Sequence, residues 1–278
     1  MIDLHMHSTI SDGTDTPEVI VERCADIGLH AFALTDHDTL EHIPLARAAA
    51  KQRRITFVPG CELSCEADIP GALHLLVYFV EPGCELDHHL DALQSARHTR
   101  NGRMMERLAE LGMPVSEAEV AVHAGVGVVG RPHIALAMLD HGYVDSIDDA
   151  FDRWLGDDCP AYVERERLEV GTAIALAHAS GGVAVVAHPR SLGVEDNALA
   201  TYLATLRDRG LDGVECNYAN YSPETRQTLA DIAASVDLVA TGGSDYHGTV
   251  KPTIQIGVGT GDLHVADSVL DALAARRP

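Results

Sequence analysis

The chain has 278 residues, and 42 acidic against 20 basic side chains leave a formal charge of −22 with histidine neutral. That excess argues against a protein that grips long nucleic acid through a broad basic face. The 46% hydrophobic content supports a full globular core, no apolar run approaches a membrane helix, and no basic-then-apolar leader follows Met1, so a cytoplasmic protein with no membrane association is expected.

In chain order the predicted strands are Ile2–His7, Ala31–Asp36, Ile55–Glu62, Leu73–Val80, Val183–His188, Gly213–Cys216 and Leu238–Thr241. Each is a short aliphatic run bounded by polar or turn-forming residues. Between them Pro17–Leu29, Ile43–Arg53, Val170–Ala179, Ala198–Arg209 and Ser222–Ala234 carry apolar residues at helical spacing, several opened by Pro, Ser or Thr. This alternation predicts parallel βα units closed into an α/β barrel of seven strands. About 80 residues separate the fourth and fifth predicted strands, far beyond an ordinary connection. They read as helices Leu86–Leu111, Ser116–Ala124, Pro132–His141 and Ser146–Leu155, joined by Gly-Met-Pro, a glycine-rich run at 125–130 and Gly-Tyr. The expected organisation is therefore a barrel of residues 1–80 and 161–278, with 81–160 a helical insertion packed over one end and contributing substrate contacts. The six cysteines show no Cys-x-x-Cys pair and are expected to be buried free thiols.

Histidine is over-represented, at sixteen residues, and part of the excess falls at strand ends. His5 and His7 lie two apart on the first strand and so share a face. Asp12 follows in the first loop, Thr35-Asp36-His37-Asp38 closes the second strand, and Gly60-Cys61-Glu62 closes the third. Ala187-His188-Pro189 closes the fifth, and Gly243-Ser244-Asp245-Tyr246-His247 follows the seventh. In an α/β barrel the ends of the strands converge on one face, which brings these residues together. His74 fits least well, because it begins its strand. At three or four ligands per ion, the set His5, His7, Asp12, His37, Glu62, His74, His188, Asp245 and His247 suits two or three divalent ions. Its imidazole content favours Mn first, with Fe, Zn or Mg as alternatives. A hydroxide bridging two such ions would be the nucleophile, and the sequence shows neither a Ser-His-Asp signature nor a phosphate loop. The remaining histidines, His42 among them, read as surface or helix residues.

Four motifs, Asp3-Leu4-His5-Met6-His7-Ser8, Thr35-Asp36-His37-Asp38, Ala187-His188-Pro189 and Gly243-Ser244-Asp245-Tyr246-His247, resemble the PHP family, the polymerase and histidinol phosphatase metal-dependent phosphoesterases. The resemblance implies a distorted (β/α)7 barrel. It implies one ion held by His5, His7, Glu62 and Asp245, a second by Glu62, His74 and His188, and a third by Asp12, His37 and His247. Asp12 departs from members that carry histidine there. The helical insertion and Gly130-Arg131-Pro132-His133 resemble the stand-alone subgroup of nucleoside 3′,5′-bisphosphate phosphatases and enzymes that trim short RNA from its 5′ end.

The second phosphate of such a substrate has candidate partners. Arg131 and His133 flank Pro132 at a helix start, where free amides favour anions, and His133 is also a candidate proton donor. Arg100, Asn101 and Arg103 lie on a predicted helix of the insertion, and Arg190 follows His188. The expected partner is a small phosphorylated nucleotide or short RNA, with no obligate protein partner evident. Histidinol phosphate is the alternative substrate, and a non-catalytic metal-binding module is the alternative of another class.

Overall fold

The computed structural model describes residues 1–124, 129–164 and 166–278, so 125–128 of the predicted glycine-rich linker lie outside the described residues. In chain order the elements are β1 (Ile2–Asp3), α1 (Pro17–Asp26), β2 (Ala31–Leu34), α2 (Ile43–Arg53), β3 (Thr56–Glu66), β4 (Leu73–Tyr78), α3 (Glu85–Glu110), α4 (Glu117–Ala124), α5 (Arg131–Asp140) and α6 (Ile147–Ala150). There follow β5 (Leu168–Glu169), α7 (Val170–Ala179), β6 (Val183–Val186), α8 (Asp196–Asp208), β7 (Gly213–Tyr218), α9 (Pro223–Ser235), β8 (Val239–Gly243) and α10 (Ser268–Ala274).

The helix starts follow from local chemistry. Thr16 and Ser222 accept from the amides of Val19 and Thr225 at the first turns of α1 and α9, and Pro17 and Pro223 occupy first positions, where no amide partner is lost. Seven strands form a nearly closed barrel in the order β1-β2-β3-β4-β6-β7-β8, with the short β5 attached to β3. β2 is buried on both faces. Ala31 and Ala33 pack with Ile2, Leu4, Tyr78 and Val185, while Phe32 and Leu34 pack with Ile20 and Val21 of α1. That two-sided burial is why the strand is an unbroken apolar run.

One expectation needs correction. β4 runs antiparallel to both of its neighbours, β3 and β6, so the barrel is not built from parallel units alone. The cause is the length of the preceding loop: residues 67–72 join β3 to β4, and a parallel crossover needs about a dozen residues. Only a hairpin fits. The first strand is also shorter than predicted, ending at Asp3, and β3 is longer, running past Glu62 to Glu66.

Closure depends on the seam between the β1 and β8 segments. Asp245 N–H donates to His5 O at 2.8 Å, and His7 N–H donates to Tyr246 O at 2.9 Å. A side chain at Gly243 would bring its Cβ to 2.5 Å from His5 N, so glycine is required for this approach.

The described chain divides into two compact units, Met1–Leu90 with Arg167–Pro278, and Asp91–Glu166. The first turns of α3 belong to the barrel unit, because Leu86 and Leu90 are buried and Leu86 N–H donates to Ser180 Oγ at 3.0 Å. The division therefore falls later than the expected 81 and 160. The smaller unit has its own core of Met104, Leu108, Val120, Ile134, Met138 and Leu155. All six cysteines are free thiols, but Cys84 and Cys159 are only partly buried. No described helix is long and apolar enough to cross a membrane.

Candidate metal centre

Glu62, on β3 and 1% exposed, is the hub of the histidine cluster. Its Oε1 lies 2.8 Å from His74 Nδ1 and 3.0 Å from His188 Nε2. Its Oε2 lies 3.1 Å from His5 Nε2, 3.0 Å from His7 Nε2 and 3.5 Å from His37 Nδ1. Asp245 Oδ1 stands 3.3 Å from His7 Nε2, 3.5 Å from His5 Nε2 and 3.4 Å from His247 Nδ1. Asp12 completes the chain, with Oδ1 3.4 Å from His247 Nε2 and Oδ2 3.7 Å from His37 Nε2. The fold thus brings together all nine residues singled out as metal ligands. Among the described residues, three groups have ligand atoms within 4.8 Å of one another: His7, Asp12, His37 and His247; His5, His7 and Asp245; and His37, Glu62 and His74.

The reversed β4 accounts for the residue that fitted least well. His74 begins its strand, but because that strand is antiparallel its first residues lie beside the last residues of β3 and β6. The loops are gathered by buried acids. Asp36 accepts from Ser8 N–H at 2.8 Å, Ser8 Oγ at 2.7 Å and Ser11 Oγ at 2.7 Å, which fixes the loop that carries Asp12. His42, read as a surface or helix residue, stands at the start of α2 and is buried, with its Nδ1 3.1 Å from Asp36 Oδ2. Asp3 accepts from Ser244 N–H at 2.9 Å and Gly257 N–H at 2.7 Å, which holds the loop before Asp245. Asp245 itself has φ +54°, an uncommon backbone state for a side-chain-bearing residue that this anchoring maintains.

Glu215 was not foreseen. It is fully buried on β7, faces His5 Nδ1 through Oε1 at 2.9 Å, and accepts His188 N–H through Oε2 at 2.7 Å. A hydrogen bond from Nδ1 to this carboxylate leaves Nε2 of a neutral His5 ring as the bare nitrogen that faces the cluster. The signal in the sequence was a lone acid between Val214 and Cys216, since a charge within an apolar strand needs a partner.

The donor set fits divalent cations. His7 Nδ1 and His37 Nδ1 are buried without a hydrogen-bond partner, and acids and imidazoles face one another at distances that a shared cation would bridge. Without a cation, protons carry the compensating charge. Burial alone would lower His7, but hydrogen bonds to Asp245 and Glu62 and the charges of Glu62 and Asp12 raise it to about 10. Burial likewise opposes protonation of His5, and Glu215, Glu62 and Asp245 outweigh it. His37 moves the other way, to about 4, chiefly through burial. Ion uptake requires bare nitrogens, so near neutral pH it expels protons, and affinity rises with pH, by about tenfold per unit for each proton displaced, until His7 titrates. Calorimetric titration with Mn in two buffers of different ionisation enthalpy measures the release; identical heats in both would refute it.

The predicted substrate contacts are divided between the units. Arg190 lines the pocket of about 450 Å³ beside the cluster, with its Nη1 2.5 Å from Asp196 Oδ1. In the smaller unit, Arg131 Nη1 donates to Leu155 O at 3.1 Å and Asp157 Oδ1 at 2.9 Å, and its guanidinium stands 5.5 Å and 5.4 Å from the rings of Phe151 and Tyr162. His133 Nδ1 accepts from Gly130 N–H at 3.0 Å, closing the first turn of α5. Arg100 is buried and donates from Nε to Val163 O at 3.1 Å, Asn101 Nδ2 donates to Val129 O at 2.9 Å, and Arg103 lines a surface groove with Arg97 and Arg100.

The PHP domain family model matches residues 3–155, more than half of the chain. The chain belongs to the PHP family. Among curated relatives, this PHP protein is 32% identical over 245 residues to a 5′-3′ exoribonuclease of Haemophilus influenzae, covering 88% of this chain and 89% of the relative. It is 30% identical over 255 residues to a 3′,5′-nucleoside bisphosphate phosphatase of Chromobacterium violaceum, covering 88% and 87%. A structure from Bifidobacterium adolescentis, assigned as a metal-dependent phosphoesterase, superposes with a TM-score of 0.82 at 30% identity over 100% of this chain and 96% of that one. Family, fold and cluster together make this protein a PHP-type metal-dependent phosphoesterase.

Proposed function

We propose that this phosphoesterase removes the 3′-phosphate of nucleoside 3′,5′-bisphosphates, such as adenosine 3′,5′-bisphosphate, and acts secondarily on the 5′ ends of short RNA. The observation that carries the reading is a single pocket of about 450 Å³ that joins Asp12, Glu62 and Asp245 with the imidazole cluster and two cations, Arg190 and Lys251. That volume suits one nucleotide, and the −22 charge of the chain disfavours a long polyanion. The names of the two curated relatives support a phosphorylated nucleotide as the substrate class.

His5, His7, Glu62 and Asp245 would hold one divalent ion, Glu62, His74 and His188 a second, and Asp12, His37 and His247 a third. Mn is the proposed metal, by the mix of imidazole and carboxylate. Such ions, when bound, acidify water and neutralise the oxygens of a phosphate ester. The chain's own residues do the rest. Glu215 orients His5, Asp36 holds the Asp12 loop, and Tyr218 Oη donates to Asp245 Oδ2 at 2.7 Å. Tyr218 and Tyr221, with ring centroids 4.9 Å apart, line the same pocket and offer an apolar surface to a base. Arg190 would meet a phosphate from the barrel, and Arg100, Asn101, Arg103, Arg131 and His133 are the proposed contacts from the smaller unit, with His133 as a proton donor.

The test is turnover of adenosine 3′,5′-bisphosphate by the Mn-loaded protein, compared in one assay with histidinol phosphate and a short 5′-phosphorylated RNA. The expected result is release of phosphate from the bisphosphate with AMP as the product. Release of the 5′-phosphate, or faster turnover of histidinol phosphate, would overturn the reading. Retained metal with no turnover of any ester would favour the non-catalytic module.

A further inference from the structure

We propose that Lys251 determines specificity in this pocket: its ammonium exchanges an ion pair with Asp245 for the terminal phosphate of the substrate, and so favours monoesters over diesters. The inference deepens the phosphatase reading and rests on it. Lys251 follows the short turn Gly248–Val250, just beyond the Asp245-Tyr246-His247 motif, and its Nζ lies 2.5 Å from Asp245 Oδ2. Asp245 Oδ1 faces His5, His7 and His247, so the ammonium is separated from the cluster by one carboxylate.

Three features make this cation free to change partners. Tyr218 donates to the same Oδ2, so Asp245 stays hydrogen-bonded when Lys251 leaves. Asp245 belongs to the proposed ligand set, so cations bound there compete with Lys251 for its charge. By contrast Arg190, the other cation lining the pocket apart from histidines, is paired with Asp196, which is not a pocket residue. The turn is held by Thr249 N–H, which donates to Thr14 Oγ1 at 2.9 Å, and the neighbouring Val250 is 61% exposed. Lys251 lines the pocket with its side chain 34% exposed.

A terminal phosphate carries about two negative charges near neutral pH and a diester phosphate one. A point cation beside the reacting group therefore rewards the monoester more. The chemistry that Lys251 recognises is a dianionic phosphoryl group, and its loss should weaken such a contact by about tenfold or more, the range of a charge-assisted hydrogen bond.

The experiment compares Lys251→Met and Lys251→Arg with the parent protein, all loaded with Mn and checked for equal metal content. Turnover of adenosine 3′,5′-bisphosphate and of a dinucleotide that carries no terminal phosphate is measured, and inorganic phosphate is titrated by calorimetry. In Lys251→Met the ratio of monoester to diester kcat/KM is expected to fall about tenfold and phosphate affinity by a similar factor, with Lys251→Arg retaining most of both. An unchanged ratio, or equal losses on both esters, would overturn the inference, because a residue that only positions Asp245 affects both alike. If the parent protein does not turn over the bisphosphate, the phosphatase reading fails, while the phosphate titration still decides the role of Lys251.

Discussion

Replacing Glu62 by glutamine is expected to abolish hydrolysis, with a loss of about a thousandfold or more, because loss of a group outside the ligand set already costs 10–100-fold and this residue joins two proposed sites. Its two oxygens face five imidazoles between 2.8 and 3.5 Å. Glutamine preserves the shape, but it removes the charge and replaces one oxygen with an amide donor, which cannot share a cation. Burial would raise the Glu62 carboxyl, yet the surrounding His37, His5 and His74 hold it well below the usual range, so it stays ionised for any cation. Metal analysis and turnover of the purified Glu62→Gln variant provide the check. A variant that kept its full metal content and more than about a tenth of the rate would remove Glu62 from the centre of the mechanism.

Glu215→Gln should act through metal affinity. Glu215 touches two of the proposed ligands at once, the His5 ring and the His188 backbone, and its carboxylate would strengthen His5 as a donor. A neutral amide there is expected to weaken metal binding by about 10–100-fold, the usual cost of removing a partner behind a ligand. Because the side chain is fully buried, the isosteric replacement leaves packing intact, and activity should return in excess Mn. Titration of the metal-free variant, followed by turnover at saturating Mn, separates affinity from chemistry. Unaltered affinity would show that His5 does not depend on this partner.

The limits of the sequence can be traced to particular residues. The helices were legible because their burial has a 3.6-residue period and their starts carry Thr16, Pro17, Ser222 and Pro223. α10 escaped because seven residues show too little of a period. β1 is shorter than its pattern suggests, since the extended chain from Leu4 to His7 resembles a strand in sequence while pairing only intermittently with the segment after β8. The antiparallel β4 was not legible, because the predicted strands stand ten residues apart, at 63–72, and only the extension of β3 to Glu66 leaves a six-residue loop. The place of His74 was hidden with it, because orientation decides which end of a strand reaches the site.

By itself, the sequence determined the fold class, the family and the identity of the nine clustered residues, since those depend on periodicity and on motifs that local chemistry makes readable. Tertiary structure alone decided that β4 reverses and so delivers His74, that Glu62 sits between five imidazoles, that Glu215 stands behind His5, and that Lys251 meets Asp245. These facts join residues far apart in the chain. Their proximity comes from barrel closure at the Gly243 seam and from the direction of each strand, and neither property is written in a local window of sequence.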